Sequence, residues 1–138
     1  MSLYLGCPVW SFKSWVGKFY PKGTKPSDFL REYAKRLTTI EGNTTFYAVP
    51  AAKTIQQWVE QTPESFRFCP KIPKAISHEG KLMEYADRAR AFVDVMKGLG
   101  SRLGPMFLQL PPRYSPKLLG DLETFLSAWD SSVRLAVE

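Results

Sequence analysis

Five short runs of strand-forming residues alternate with four helix-like runs along this chain, and this alternation limits the fold more than any other feature. The strand-like runs are residues 3–7, 38–42, 66–69, 106–110 and 133–137. The first helix is expected to open at Ser27, an N-cap type with Asp28 in the first turn. Phe29, Leu30, Tyr33, Ala34 and Leu37 follow it at helical spacing. A second helix is expected over 53–61, with Ile55, Trp58 and Val59 on one face. A third covers 83–99, stopped by Gly98 and Gly100, and a fourth covers 116–129. Strict β-α order predicts a parallel sheet with right-handed crossovers.

Two architectures satisfy that order: part of a TIM-barrel-like (β/α) repeat, or a five-stranded open doubly wound sheet. Strand periodicity favours the first. A central strand covered on both faces is apolar on both. Here Phe66 and Phe68 oppose Arg67 and Cys69, Ile40 and Gly42 oppose Thr39, Glu41 and Asn43, and Val133, Leu135 and Val137 oppose Arg134, Ala136 and Glu138. Side chains alternate across a strand, so each strand has one polar side. A barrel accommodates this, with apolar residues toward outer helices and polar residues inward. A complete barrel takes about 250 residues, and this chain has 138. Residues 1–138 are therefore expected to form one partial barrel domain ending at strand five. Its open strand edges would call for self-association or for the missing C-terminal half.

Composition excludes several classes. Hydrophobic residues make up 44% and charged residues 23%, as in ordinary globular proteins. No apolar run approaches the roughly 20 residues that span a bilayer, and the first residues do not resemble a signal peptide, so no membrane partner is expected and the cytoplasm is the expected compartment. Two cysteines, Cys7 and Cys69, make no disulfide framework and read as small buried hydrophobes. The single histidine and the lack of spaced ligands suggest no metal site. No phosphate-binding glycine loop, dinucleotide fingerprint or nucleophile elbow is present, so the cofactor is left unknown.

In a parallel barrel the functional groups gather at the C-terminal ends of the strands. Those positions hold Trp10 after strand one, Glu41, Asn43 and Tyr47 at the end of strand two, and Lys71 and His78 beyond strand three. Gln109 lies at the end of strand four and Glu138 at the end of strand five. Glu41, His78 and Glu138 are the candidate catalytic groups: two carboxylates suited to acid–base work and an imidazole that titrates near neutrality. Asn43, Lys71, Gln109, Tyr47 and Trp10 are the candidate substrate-binding groups, with Lys71 suited to an anion. The bland alternative is a set of internal ion pairs, Glu41 with Arg67 or Lys71 and Arg134 with Glu138.

The formal charge is +6, and residues 1–40 hold Lys13, Lys18, Lys22, Lys25, Arg31, Lys35 and Arg36 against Asp28 and Glu32. Trp10, Phe12, Trp15, Phe19 and Tyr20 lie among the first of these lysines. Aromatics with basic residues suit nucleic acid, the rings stacking on bases and the lysines meeting phosphates. The same rings also suit a packed lid over a solvated basic surface.

Gly6-Cys7-x-x-Trp10-x-Phe12-x-x-Trp15-x-Gly17-x-Phe19-Tyr20-Pro21 resembles the opening of the YecE-like family, known as domain of unknown function 72. Glu41-x-Asn43-x-Thr45-Phe46-Tyr47, Phe66-x-Phe68 with Lys71-x-Pro73, His78-Glu79, and Leu103-Gly104-Pro105 leading to Gln109-Leu110-Pro111-Pro112 extend the resemblance along the chain. Pro8-Val9 and Gly42 depart from the family's usual residues. The resemblance implies a TIM-barrel-like fold and a protein nearer twice this length, continuing past Glu138 into an Arg-His pair and a Trp. It implies no reaction. The leading expectation is an enzyme acting on a small polar or phosphorylated substrate. The rivals are a nucleic-acid-binding or nucleic-acid-processing protein and a non-catalytic scaffold.

Overall fold

The computed structural model describes residues 3–138. Its strands are β1 (Gly6–Cys7), β2 (Thr39–Gly42), β3 (Arg67–Pro70), β4 (Met106–Leu108) and β5 (Leu135–Val137). All pair in parallel: β1 with β2, β2 with β3, and β4 with β5. Parallel bridges from Phe68 to Leu103 and from Lys71 to Phe107 join the two groups. Hydrogen bonds from the Gly104 N–H to the Phe68 carbonyl (2.7 Å) and from the Ile72 N–H to the Phe107 carbonyl (2.8 Å) support that seam. The strands therefore lie side by side in chain order. Gly6 permits the closest approach, since a Cβ there would stand 2.0 Å from the Thr39 carbonyl oxygen.

The helices are α1 (Phe29–Ala34), α2 (Thr44–Tyr47), α3 (Ala52–Gln61), α4 (Lys74–Ser77), α5 (Ala86–Met96) and α6 (Leu119–Ser127). Burial alternates along the strands: Ile40, Gly42, Phe68, Pro70, Met106 and Leu108 are buried, whereas Thr39, Glu41, Arg67, Cys69 and Phe107 are only partly so. The buried set packs with Phe29, Leu30 and Tyr33 of α1, Ile55 of α3, Phe92, Val93 and Met96 of α5, and Phe125 of α6 in one core. One face of the sheet is helix-covered and the other is open. An open doubly wound sheet reverses its strand order and covers both faces. Among the described residues neither occurs, so that alternative does not hold. No pairing joins β5 to β1 among the described residues, and the array is not a closed barrel.

The buried Tyr33 hydroxyl ties the first helix to the sheet. It accepts a hydrogen bond from the Cys7 N–H (2.6 Å) and donates one to the Thr39 carbonyl (2.9 Å), while burial pushes its pKa up to about 12. The helix boundaries depart from expectation. Pro26 opens a 3-10 turn over Pro26–Asp28 ahead of α1, so Ser27 lies inside that turn and is not its cap. The third helix is α-helical only over α5, between 3-10 turns at Leu82–Tyr85 and Lys97–Arg102, and Gly100 breaks the second turn with φ 58°. A 3-10 turn, Pro116–Leu118, likewise leads into α6. The short helices α2 and α4 are too brief to show a sequence period. Both cysteines are free and half-buried, so neither is a fully buried hydrophobe. Among the described residues no helix is long and apolar enough to cross a membrane.

Candidate functional site

A chain of hydrogen bonds crosses the C-terminal ends of three adjacent strands. Lys71 follows β3, and its Nζ donates to Oε1 of Gln109, just beyond β4, at 2.5 Å. The Gln109 Nε2 donates to the Glu138 carboxylate, just beyond β5, at 3.3 Å. Backbone pairing fixes the spacing, because the Glu138 N–H reaches the Leu108 carbonyl (2.9 Å) and the Leu110 N–H reaches the Glu138 carbonyl (2.7 Å). Lys71 also lies over two rings, 4.5 Å from the Phe46 centroid and 5.5 Å from that of Phe107.

Thr45 holds Lys71 in place. Its side chain is 1% exposed, and its Oγ1 lies 2.7 Å from the Gly42 carbonyl and 2.6 Å from the Lys71 carbonyl. It thus ties the end of β2 to the residue after β3. Phe46, its neighbour on α2, meets the His78 ring edge-to-face at 5.3 Å. His78 Nδ1 lies 2.7 Å from Oγ of the buried Ser77. Arg113 donates to the His78 carbonyl. Burial, and then the charges of Lys74, Arg113 and Lys71, hold the His78 pKa below its ordinary value. The sequence placed Lys71, Gln109, Glu138 and His78 at strand ends. It did not single out Thr45 and Phe46, although both lie inside the Glu41–Tyr47 motif, and it did not single out Lys74, Ser77 or Arg113.

Glu41 occupies the open face. It lines a hollow of about 460 Å³ with Thr39, Cys69, Phe107 and Ala136, among other residues. Among the described residues it makes no ion pair with Arg67 or Lys71, and Arg134 makes none with Glu138. Arg67 instead donates to the carbonyls of Glu64 and Phe66. The purely structural ion-pair network is therefore not what holds these carboxylates. Burial raises the Cys69 thiol pKa, with Glu41 adding to the rise and Thr39 and Arg134 opposing it, so Cys69 is a protonated wall of the hollow.

The remaining candidates lie elsewhere. The Asn43 Nδ2 donates to the Pro8 carbonyl at 3.3 Å and fastens the first loop to the end of β2. Tyr47 is 81% exposed and meets Phe46 edge-to-face at 5.3 Å. Trp10 turns to the helix side, edge-to-face on Trp58 of α3 at 5.6 Å and close to Gly42, Thr45 and Pro70. The loop aromatics largely consume one another. Trp15 packs on Phe12, Phe19 and Tyr20, and Tyr20 stacks on Phe29 of α1. Of these loop rings Phe12 is the exposed one. Among the described residues no group of three or more His, Cys, Asp or Glu side chains is placed to hold a metal ion.

These features define an α/β protein of parallel strands in chain order, covered on one face, with polar groups assembled at the strand ends. The chain belongs to the DUF72 family, described as proteins of unknown function, whose model matches residues 4–138. It is 37% identical over 136 residues to the UPF0759 protein YecE of Escherichia coli K12, covering 99% of this chain and 47% of that protein. It is 24% identical over 121 residues to the UPF0759 protein YunF of Bacillus subtilis 168, covering 83% and 42%. It thus spans about half the length of the curated relatives it matches. The crystal structure of a DUF72 family protein from Thermotoga maritima aligns with a TM-score of 0.76 at 27% identity, over 98% of this chain and 54% of that one. One from Enterococcus faecalis aligns at 0.75 and 24% identity, over 97% and 49%.

Proposed function

We propose that the chain forms five strands of a TIM-barrel-like (β/α) array and carries part of the active site of an enzyme acting on a small polar or phosphorylated substrate. The observation that carries this reading is the Lys71–Gln109–Glu138 chain across three adjacent strand ends, the end at which such folds collect their chemistry. Strand order and the single covered face support the array, and the relatives' greater length leaves room for further strands.

In this reading Glu41 is the acid–base or cation-binding carboxylate at the floor, and Glu138 is the second carboxylate at the rim. Gln109 presents an oriented amide between a cation and an anion, so its rotamer is set before a ligand arrives. Lys71 neutralises an anionic group, and His78, its pKa held below the ordinary value by burial and the nearby cations, is the proton acceptor. Phe46 and Phe107 take the role of apolar walls in place of Trp10 and Tyr47. Asn43 acts through the Pro8 carbonyl as a positioning residue.

The test is Glu41→Gln, which keeps shape and removes charge. The expected result is a large loss of turnover, on the order of a hundredfold or more for a lost acid–base group, with thermal stability close to wild type. Substrates are sought by screening polar and phosphorylated metabolites. A sharp fall in melting temperature with turnover unchanged would make Glu41 structural and overturn the assignment.

A further inference from the structure

Beside the strand-end group, three cations lie near His78: Lys71 shares the Phe46 ring with it, Arg113 donates to its carbonyl, and Lys74 precedes it by one turn of α4. None has a carboxylate partner. Among the described residues Lys71, Lys74 and Arg113 form no ion pair within 4 Å. Lys71 donates to a neutral amide oxygen. Arg113 gives one nitrogen to the His78 carbonyl, and both Lys74 and Arg113 are exposed. Glu138, the carboxylate of the strand-end chain, is separated from Lys71 by Gln109, and the Asp121 carboxylate is taken up by the Leu82 and Met83 N–H groups and the Tyr114 hydroxyl. Glu79, the chain neighbour of His78, is exposed and pairs with none of the three.

Like charges gathered without counter-charge repel one another and stay together only at a cost. They persist here because the backbone places them: Lys71 through Thr45, Lys74 on α4, and Arg113 in the loop after β4. Such an arrangement suits an anion that accepts from several directions. A carboxylate offers two oxygens and a single charge. A terminal phosphate offers three oxygens and nearly two charges at neutral pH, and its tetrahedral oxygens match an ammonium–guanidinium cluster.

We propose that Lys71, Lys74 and Arg113, gathered around His78 and Phe46, form a seat for the dianionic phosphoryl group of a phosphate monoester. This deepens the enzyme reading and rests on it for the position of the site. The ester's carbon skeleton would extend toward Gln109, Glu138 and the hollow that holds Glu41.

The chain's one histidine gives a clean probe. Its ring resonances are followed by NMR across pH in chloride, then with added methyl phosphate or acetate at equal ionic strength. An anion seated beside His78 favours the imidazolium, so methyl phosphate should raise the titration midpoint by roughly half a unit or more, and acetate much less. Arg113→Ala and Lys74→Ala should each weaken methyl phosphate binding roughly tenfold, the loss of one charge-assisted contact. Both side chains are exposed, and far-UV circular dichroism checks that the variants fold. Glu138→Gln should bind phosphate as tightly as wild type or tighter. An unmoved midpoint, an equal response to acetate, or variants that bind like wild type would overturn the seat. If the seat fails while a neutral polar ligand shifts Gln109 and Glu138 resonances, the enzyme reading survives without it. If phosphate binds as expected but Glu41→Gln leaves turnover intact, the seat stands and the catalytic assignment falls.

Discussion

The two ends of the sheet use the same cationic side chains in opposite ways. At the strand starts Lys97 pairs with Asp130 at 2.5 Å, and Lys97 together with Ser132 holds the Asp130 carboxyl well below the usual carboxylate range. Arg102 donates from Nε and Nη2 to the Thr62 carbonyl at 3.2 and 3.0 Å, and Arg67 donates to two carbonyls. Arg134 and Arg36 are left exposed there without such a partner among the described residues, Arg36 lying over the Phe19 ring. At the strand ends Lys71 meets an amide and two aromatic rings, Arg113 meets a carbonyl, and neither these two nor Lys74 makes an ion pair among the described residues. The difference separates charge used to close loops from charge left available. It also separates residues whose loss should cost stability from residues whose loss should cost binding.

The largest effect should fall at the starts. Arg102→Ala removes a half-buried guanidinium and leaves the carbonyl of buried Thr62 without it. A loss of about 1.5–3 kcal/mol in denaturant unfolding is expected, as for hydrogen bonds to a charged group. Methyl phosphate affinity should not change. A variant that binds phosphate several-fold more weakly would show that the two ends are coupled.

Lys71→Met is the converse at the other end. A Met side chain reaches the same Phe46 and Phe107 rings over which the Lys71 Nζ lies, and it removes the charge. Stability should change by less than about 1 kcal/mol, since apolar replacement of a half-buried charge is tolerated, while phosphate affinity should fall roughly tenfold. A strongly destabilised Lys71→Met would move Lys71 into the structural set, and the contrast between the ends would be lost.

The contrast was only half legible in the sequence. Period-two alternation in Thr39–Gly42 and Arg67–Pro70 marked which side chains face the open side, because a one-faced sheet imposes that period. Strand ends followed from it, and so did Lys71, Gln109 and Glu138. The placement of Trp10 was not legible, because its partner, Trp58, belongs to a helix remote in sequence and no local pattern records that pairing. Phe46 and Lys74 sit on four-residue helices that show no period. Arg113 follows Pro111-Pro112 in a loop, where its neighbours in space come from the segment after β3. The charge census recorded that cations were in excess. It did not record that Lys97, Arg102 and Arg67 at the strand starts were already partnered.

The smallest effect is a pH slope. His78 has a folded pKa below that of the unfolded chain, first because it is partly buried and then because Lys74, Arg113 and Lys71 surround it. Between the two values the unfolded chain binds more protons, so stability rises with pH across that interval. The contribution is present above the unfolded value, near 6.5, and is lost as pH falls through the folded one. His78→Gln should remove this part of the slope and leave the rest of the pH profile, which reports the carboxylates, unchanged. Methyl phosphate should flatten the same interval by favouring the imidazolium in the folded state. Chemical denaturation of both proteins across that interval, with and without methyl phosphate, measures both effects. If wild type and His78→Gln have the same slope, the cations do not act on the imidazole, and the strand ends would resemble the strand starts.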